Sequence, residues 1–293
     1  MTRYTITHVT TYQYTEPVSL CQNVAHLSVR ACDRQQSEPS TLSISPDPAV
    51  IEERVDYYGN PVHYFTIQEP HRELTVRAEH RIAVAPGLCA RPAETPPWEA
   101  VRDRLGRDRD PVWFKAYQFA FDSRYAAADP RYADFAAASF TPGRPILEAA
   151  LHLVNRVYEG FVYDPRATTV TTPVAEVFEK RRGVCQDFAH LLLACFRSLG
   201  LAARYVSGYL STLPPPGRPR LVGADATHAW VSLFCGEAGW VDLDPTNDQI
   251  PEDRHVLLAW GRDYDDVSPL KGVILGGGQH RIKVSVDVRA EIG

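Results

Sequence analysis

The strongest periodic signal lies in residues 181–201, RRGVCQDFAHLLLACFRSLGL, where Phe188, Leu191, Leu192, Cys195 and Leu199 recur at the three-and-four spacing of a buried helix face. Gly183 and Gly200 stand where the chain enters and leaves that helix. Further on, the period drops to two. Residues 227–235 put His228, Trp230, Ser232 and Phe234 on one face and Ala229, Val231, Leu233 and Cys235 on the other, and residues 240–244 alternate likewise. The glycine-containing stretch Cys235–Gly239 between them predicts an antiparallel hairpin. With Phe234 opposite Trp240, Ser232 faces Asp242, Trp230 faces Asp244, and His228 shares their face one diagonal step from Asp244. A slip of one residue would move His228 to the face of Val241 and Leu243, away from either acid.

The first third of the chain is patterned differently. Strand-like runs at Arg3–Tyr14, Gln22–Arg30, Thr41–Ser45, Val50–Tyr58, Val62–Glu69 and Leu74–Val84, separated by proline and glycine turns, predict a β-sandwich domain over residues 1–86. The aromatic and histidine alternation of Tyr4–Tyr14 reads as a sheet face packed on a core rather than as a binding stripe. Residues 87–160 begin in a linker, Ala85–Pro97, and continue as helices at Trp98–Leu105, Val112–Phe121, Pro130–Ala138 and Pro145–Tyr158, with His152 off the apolar stripe of the last. Residues 161–293 then hold the strong helix and the hairpin. Around them are a short helix at Val174–Lys180, a strand at Leu201–Leu210, the proline-rich loop Leu213–Pro219 beside a substrate groove, and a C-terminal strand at Gln279–Ile292. That last strand returns either to this core or to the N-terminal sheet. His255 lies in an irregular stretch, placed to cap or line the site.

Bulk properties narrow the function. At 293 residues, 44% hydrophobic and 23% charged, the chain reads as an ordinary globular protein of about two units. A net charge of −5 with dispersed basic residues argues against a nucleic-acid partner; Arg181 and Arg182 form only a short solvated pair. No run approaches a membrane span, and Met1–Val9 lacks the pattern of a secretory leader. Six cysteines without paired spacing suggest reduced thiols, hence a cytoplasmic setting.

Cys185 falls in the first turn of the apolar helix, where free backbone N–H groups and the positive helix end favour a thiolate. His228 is the candidate base, and Asp244 is the candidate acid that fixes its tautomer. Asp242 is the rival acid, one pair further away in this register. A zinc site from Cys185, His190 and Cys195 fails, because a five-residue helical spacing turns the side chains apart. Asp263–Asp266 lacks the pattern of a calcium loop. No metal or cofactor is expected. For the oxyanion, the backbone N–H of Cys185 is the first candidate donor, with Tyr163 and Trp230 as further candidates for oxyanion or substrate contact.

Taken in order, G-V-C-Q-D opening a helix, T-H-A-W-V on a strand and G-W-V-D-L-D-P-T resemble the core of the transglutaminase-like superfamily, a branch of the papain-like thiol enzymes. The alternating opening of Tyr4, Ile6, His8, Thr10, Tyr12 and Tyr14 is similar to the N-terminal β domain of bacterial members described as candidate cysteine proteases. The resemblance covers nearly the whole chain. It implies an α+β protein in which a β-sandwich precedes a papain-like core, a Cys-bearing helix packed on an antiparallel sheet that bears His and Asp. It places the family's Cys, His and Asp on Cys185, His228 and Asp244. The chemistry implied is acyl transfer on a peptide or protein substrate, read here as hydrolysis by a peptidase or amidase. Amine transfer to protein glutamine, a non-catalytic interaction module and action on glycan-linked asparagine are the alternatives. Oligomeric state is left open.

Overall fold

A computed structural model describes residues 1–87, 91–212 and 227–291. The proline-rich loop at Leu213–Pro219 lies outside the described residues. The N-terminal strands are β1 (Thr2–Ala25), β2 (Gln35–Ser37), β3 (Thr41–Ser45), β4 (Val50–Val55), β5 (Pro61–Ile67) and β6 (His71–Val84). Strand β1 is one long strand where two were expected. Its pairing shifts register between Gln13 and Val18, and such an irregularity lets a strand bend without ending.

The middle of the chain carries α1 (Trp98–Leu105), α2 (Pro111–Tyr117), α3 (Pro130–Ala137) and α4 (Ile146–Gly160). Then come β7 (Val162–Tyr163), α5 (Val174–Lys180), β8 (Arg182–Gly183) and α6 (Cys185–Ser198). The remainder is β9 (Ala203–Leu210), β10 (Thr227–Phe234), β11 (Trp240–Leu243), β12 (His255–Gly261), α7 (Tyr264–Val267), β13 (Leu270–Gly276) and β14 (His280–Ala290).

Strands β13 and β14 run antiparallel to β1, β14 along its first half and β13 along its second. The C-terminal segment therefore completes the N-terminal sheet, and the unit expected to span residues 161–293 gives up its last two strands to it. Among the described residues these strands form one continuous eight-stranded sheet bent along β1, where the sequence suggested two separate sheets. Inside the bend, Val18, Cys21, Ala25, Phe65, Ile67, Leu74, Val76 and Ala78 make their own core.

The second sheet has four antiparallel strands in the order β11-β10-β9-β12. Its hairpin pairs Phe234 with Trp240 and Ser232 with Asp242, the register expected from the alternation. Helix α6 lies across this sheet, and Leu191, Leu192, Leu193, Ala194, Cys195 and Phe196 are all enclosed in the main core. Its C-terminal end is held by Arg197, which donates to the carbonyls of Phe119, Ala126, Ala203 and Arg262 and to Ser123 Oγ. A buried guanidinium is tolerated only with such a full set of acceptors. Gly200 follows at φ +74°, a left-handed turn out of the helix that glycine adopts without strain. Arg181 does more than meet solvent, since its guanidinium covers the rings of Phe135, Phe161 and Phe178.

The two sheets share the main core. Tyr4, Ile6, Ile82, Val84, Val286 and Val288 of the bent sheet join the residues buried around α6. At this seam His8 Nδ1 lies 3.0 Å from the Tyr209 hydroxyl of β9, and His8 Nε2 lies 3.0 Å from Thr10 Oγ1. The opening alternation of aromatic and histidine residues is thus a packed face.

Candidate active site

Cys185 is the first residue of α6 and stays partly exposed. The preceding residue, Val184, is extended and has no side-chain oxygen to cap the helix, so Asp187 serves from within. Its Oδ2 accepts the Val184 N–H at 2.8 Å and the Thr168 hydroxyl at 2.6 Å. Gly183 makes this possible, because a Cβ there would sit 2.7 Å from Asp187 Oδ2. Burial raises the Asp187 carboxyl pKa despite these donors. The cap holds the helix start still and leaves the N–H groups of the first turn pointing past Cys185.

His228 stands near the start of β10, paired with Gly208 of β9. A Cβ at Gly208 would fall 2.1 Å from the Val256 carbonyl and 2.5 Å from the Trp230 ring, so glycine is required for the indole to lie across this strand. His228 Nε2 is 2.8 Å from Asp244 Oδ2. The same oxygen is 2.9 Å from His255 Nε2 and accepts Asn247 Nδ2 at 2.7 Å, while Asp244 Oδ1 accepts the Thr246 N–H at 3.0 Å. Asp244 is fully buried. Burial alone would raise its pKa, but the donors from His228, His255 and Asn247 outweigh it and hold the carboxyl well below the usual range.

With Nε2 given to Asp244, Nδ1 is the ring nitrogen left to face the Cys185 thiol, which lies near enough for its charge to act on His228. Burial would lower the His228 pKa. Hydrogen bonds and negative charge from Asp244 and Cys185 prevail and push it up to about 10. A thiolate beside an imidazolium, oriented by a buried carboxylate, can attack a carbonyl and then protonate a leaving amine.

The sequence-derived candidates are therefore divided. Cys185, His228 and Asp244 meet. Asp242 does not join them; it sits opposite Ser232, beside the Arg204 guanidinium. Trp230 is 0% exposed and cannot reach a substrate or an oxyanion; its ring packs 5.4 Å from His255 and 6.0 Å from His228 as a wall behind them. Tyr163 pairs with Gly183 across the short β7–β8 bridge and is 54% exposed at the mouth of the site, near enough to feel the Cys185 charge. His190 is buried between Tyr125 and Tyr205, accepts the Tyr264 N–H and forms no cluster with Cys195.

One residue, Tyr205, went unrecognised as a neighbour of the reacting groups, and the expectation that His255 caps or lines the site gains a specific partner. Tyr205 lies buried behind Cys185, its phenol pKa pushed well up by burial and then by the thiol's charge. His255 shares Asp244, and only the return of β12 along β9 brings it there. Among the described residues, His228, Asp244 and His255 are the one trio whose ligand atoms lie within 4.8 Å of one another, as a metal would need. The atoms that face one another, the two Nε2 atoms and Asp244 Oδ2, are at hydrogen-bond distance, so the trio reads as a hydrogen-bonded chain.

Residues 4–83 match the bacterial transglutaminase-like N-terminal region, and residues 134–245 match the transglutaminase-like superfamily. A Mycobacterium tuberculosis (strain H37Rv) protein, described as uncharacterized, is 41% identical over 297 residues, covering 98% of this chain and 92% of its own. A protein-glutamine gamma-glutamyltransferase of Pseudomonas aeruginosa is 33% identical over 108 residues, which is 34% of this chain and 16% of that one. The crystal structure of a candidate cysteine protease from Cytophaga hutchinsonii shares the fold, with a TM-score of 0.77 at 21% identity over 100% of this chain and 91% of that one. No helix among the described residues is long and apolar enough to cross a membrane.

Proposed function

Because this chain belongs to the transglutaminase-like superfamily and carries its bacterial N-terminal region, we propose that it is a cysteine-dependent acyl-transfer enzyme acting on peptide or carboxamide bonds of protein substrates. One observation carries the reading: His228 gives Nε2 to a fully buried Asp244, with the Cys185 thiol at the start of α6 near enough for its charge to act on the same ring. Cys185 is the nucleophile. Its thiolate attacks the carbonyl carbon, and the oxyanion is met by the N–H of Cys185 itself, with Tyr163 as the second candidate donor at the cleft mouth. His228 protonates the leaving amine, and Asp244 stabilises the imidazolium throughout. A thioester joins Cys185 to the acyl group. Water then attacks that thioester, giving its proton to His228, and the thiolate leaves.

Hydrolysis is the favoured outcome, because Cys185 is partly exposed and Tyr163 beside it is open to solvent, so water reaches the thioester. Amine transfer is the second reading, supported by the partial similarity to the Pseudomonas aeruginosa glutamyltransferase. Five cysteines are free among the described residues, which suits a reducing compartment such as the cytoplasm. The test is to incubate unfolded casein with the protein and a fluorescent primary amine, beside Cys185→Ala, and to read the products by mass spectrometry. Cleavage or glutamine deamidation that disappears in Cys185→Ala supports hydrolysis, and amine incorporation supports the second reading. Products that persist in Cys185→Ala would remove Cys185 from the chemistry.

A further inference from the structure

Resting on the thiol-enzyme reading above, we propose that His255 is a positioning residue. Held neutral with its proton on Nε2, it fixes Asp244 from the side away from the thiol and thereby keeps His228 aimed at Cys185. The geometry requires a donor at His255. Asp244 Oδ2 already faces Nε2 of His228 at 2.8 Å and Nδ2 of Asn247 at 2.7 Å, and Nε2 of His255 approaches the same oxygen at 2.9 Å. An ionised carboxylate only accepts, so Nε2 of His255 bears the hydrogen.

The other nitrogen, Nδ1, is buried with no partner among the described residues. Protonating it would bury an unmatched N–H and a second positive charge in the same cluster. The ring of His228 lies 5.8 Å from that of His255. The charged or titratable groups that face His255 are Asp244 and His228 from the hairpin and Arg34 from the N-terminal sheet, whose Nη2 donates to the His255 carbonyl at 2.9 Å. Two of these three are positive, and the one negative group is shared with His228. His255 is also locked in place, 1% exposed, with the Trp230 ring edge-on at 5.4 Å. A rigid neutral donor does what a mobile or charged one would not. It pins the carboxylate oxygen and leaves its negative charge to serve His228.

The experiment compares wild type, His255→Phe and His255→Gln by the rate of Cys185 alkylation with iodoacetamide from pH 5 to 10, read by peptide mapping, with thermal melts as a folding control. Phenylalanine keeps the ring volume and removes the donor; glutamine keeps a donor. The expected result is an about ten-fold slower reaction of His255→Phe near pH 6, converging on wild type at the alkaline end, with most of the loss recovered in His255→Gln. Identical profiles for wild type and His255→Phe would overturn the proposal. Should His255→Phe fail to fold, ring-nitrogen NMR of the wild type decides: a protonated Nε2 with a bare Nδ1 on His255 supports it, and the opposite tautomer or a doubly protonated ring overturns it. If wild type and His228→Ala react alike, the enzyme reading itself has failed, and the His255 tautomer is still answered separately by NMR.

Discussion

Two pairs of buried histidines in this fold differ in protonation: both rings of one pair are neutral, and the other pair divides into one cation and one neutral ring. His228 and His255 stand at the candidate active site, 8% and 1% exposed; His8 and His80 stand at the seam between the sheets, 1% and 2% exposed. Burial is alike, so it cannot be what separates them. At the seam the partners are hydroxyls: Tyr209 and Thr10 for His8, and Ser40 for His80. Burial, with the two histidines repelling each other, pushes His8 down to about 4, and burial does the same to His80. At the site Asp244 and Cys185 together reverse the outcome for His228, raising it to about 10, while His255, which faces the same oxygen but not the thiol, is lowered by burial. A buried imidazole is a neutral strut until enough negative charge faces it to outweigh desolvation, and then it holds its proton.

The largest effect should come from removing that carboxylate. Asp244→Ala leaves two buried histidines and Asn247 without their acceptor and should cost about 3–5 kcal/mol in urea unfolding at pH 7. A loss under 1 kcal/mol would mean that the seam and the site are not different in kind.

Acid should find the seam first. His8 and His80 have folded pKa values below the unfolded value, so their contribution is present above about pH 6.5 and is lost as the pH falls toward 4. Each should contribute on the order of 3 kcal/mol to that slope, and His80→Gln should flatten it. His228 has the opposite sign: its pKa is raised on folding, so its contribution is present below about pH 6.5 and fades as the pH rises toward 10.

Gly208 links the two regions, pairing with His228 and preceding Tyr209. Gly208→Ala should destabilise by about 1–3 kcal/mol, because the new methyl meets the Val256 carbonyl and the Trp230 ring; thermal melting would show it. The smallest change should follow Thr10→Val, which removes one hydroxyl from His8 and should lower stability by about 1 kcal/mol without altering Cys185 reactivity. A change in that reactivity would show that the two histidine pairs are coupled.

What could be read from sequence depended on how local the information was. Phe234 opposite Trp240 was legible because a short turn and two alternating runs fix a hairpin register by themselves. The apolar stripe of α6 was legible for the same reason. Strands β13 and β14 were not assigned to one sheet, because their partner is more than two hundred and forty residues away and alternation does not name a partner. Trp230 was taken for a substrate contact because alternation gives the face of a strand and not what covers it; here Val206, Leu257 and Trp260 cover it. His255 could be suspected of lining the site, but its hold on Asp244 depends on the path of β12.

The central claim is that buried Asp244 keeps the His228 ring protonated, and ring-nitrogen NMR of His228 tests it most directly. With the His228 pKa pushed up to about 10, both ring nitrogens should carry hydrogen at pH 8 in wild type, and the ring should be neutral at that pH in Asp244→Asn. A neutral His228 ring in wild type at pH 8 would contradict it.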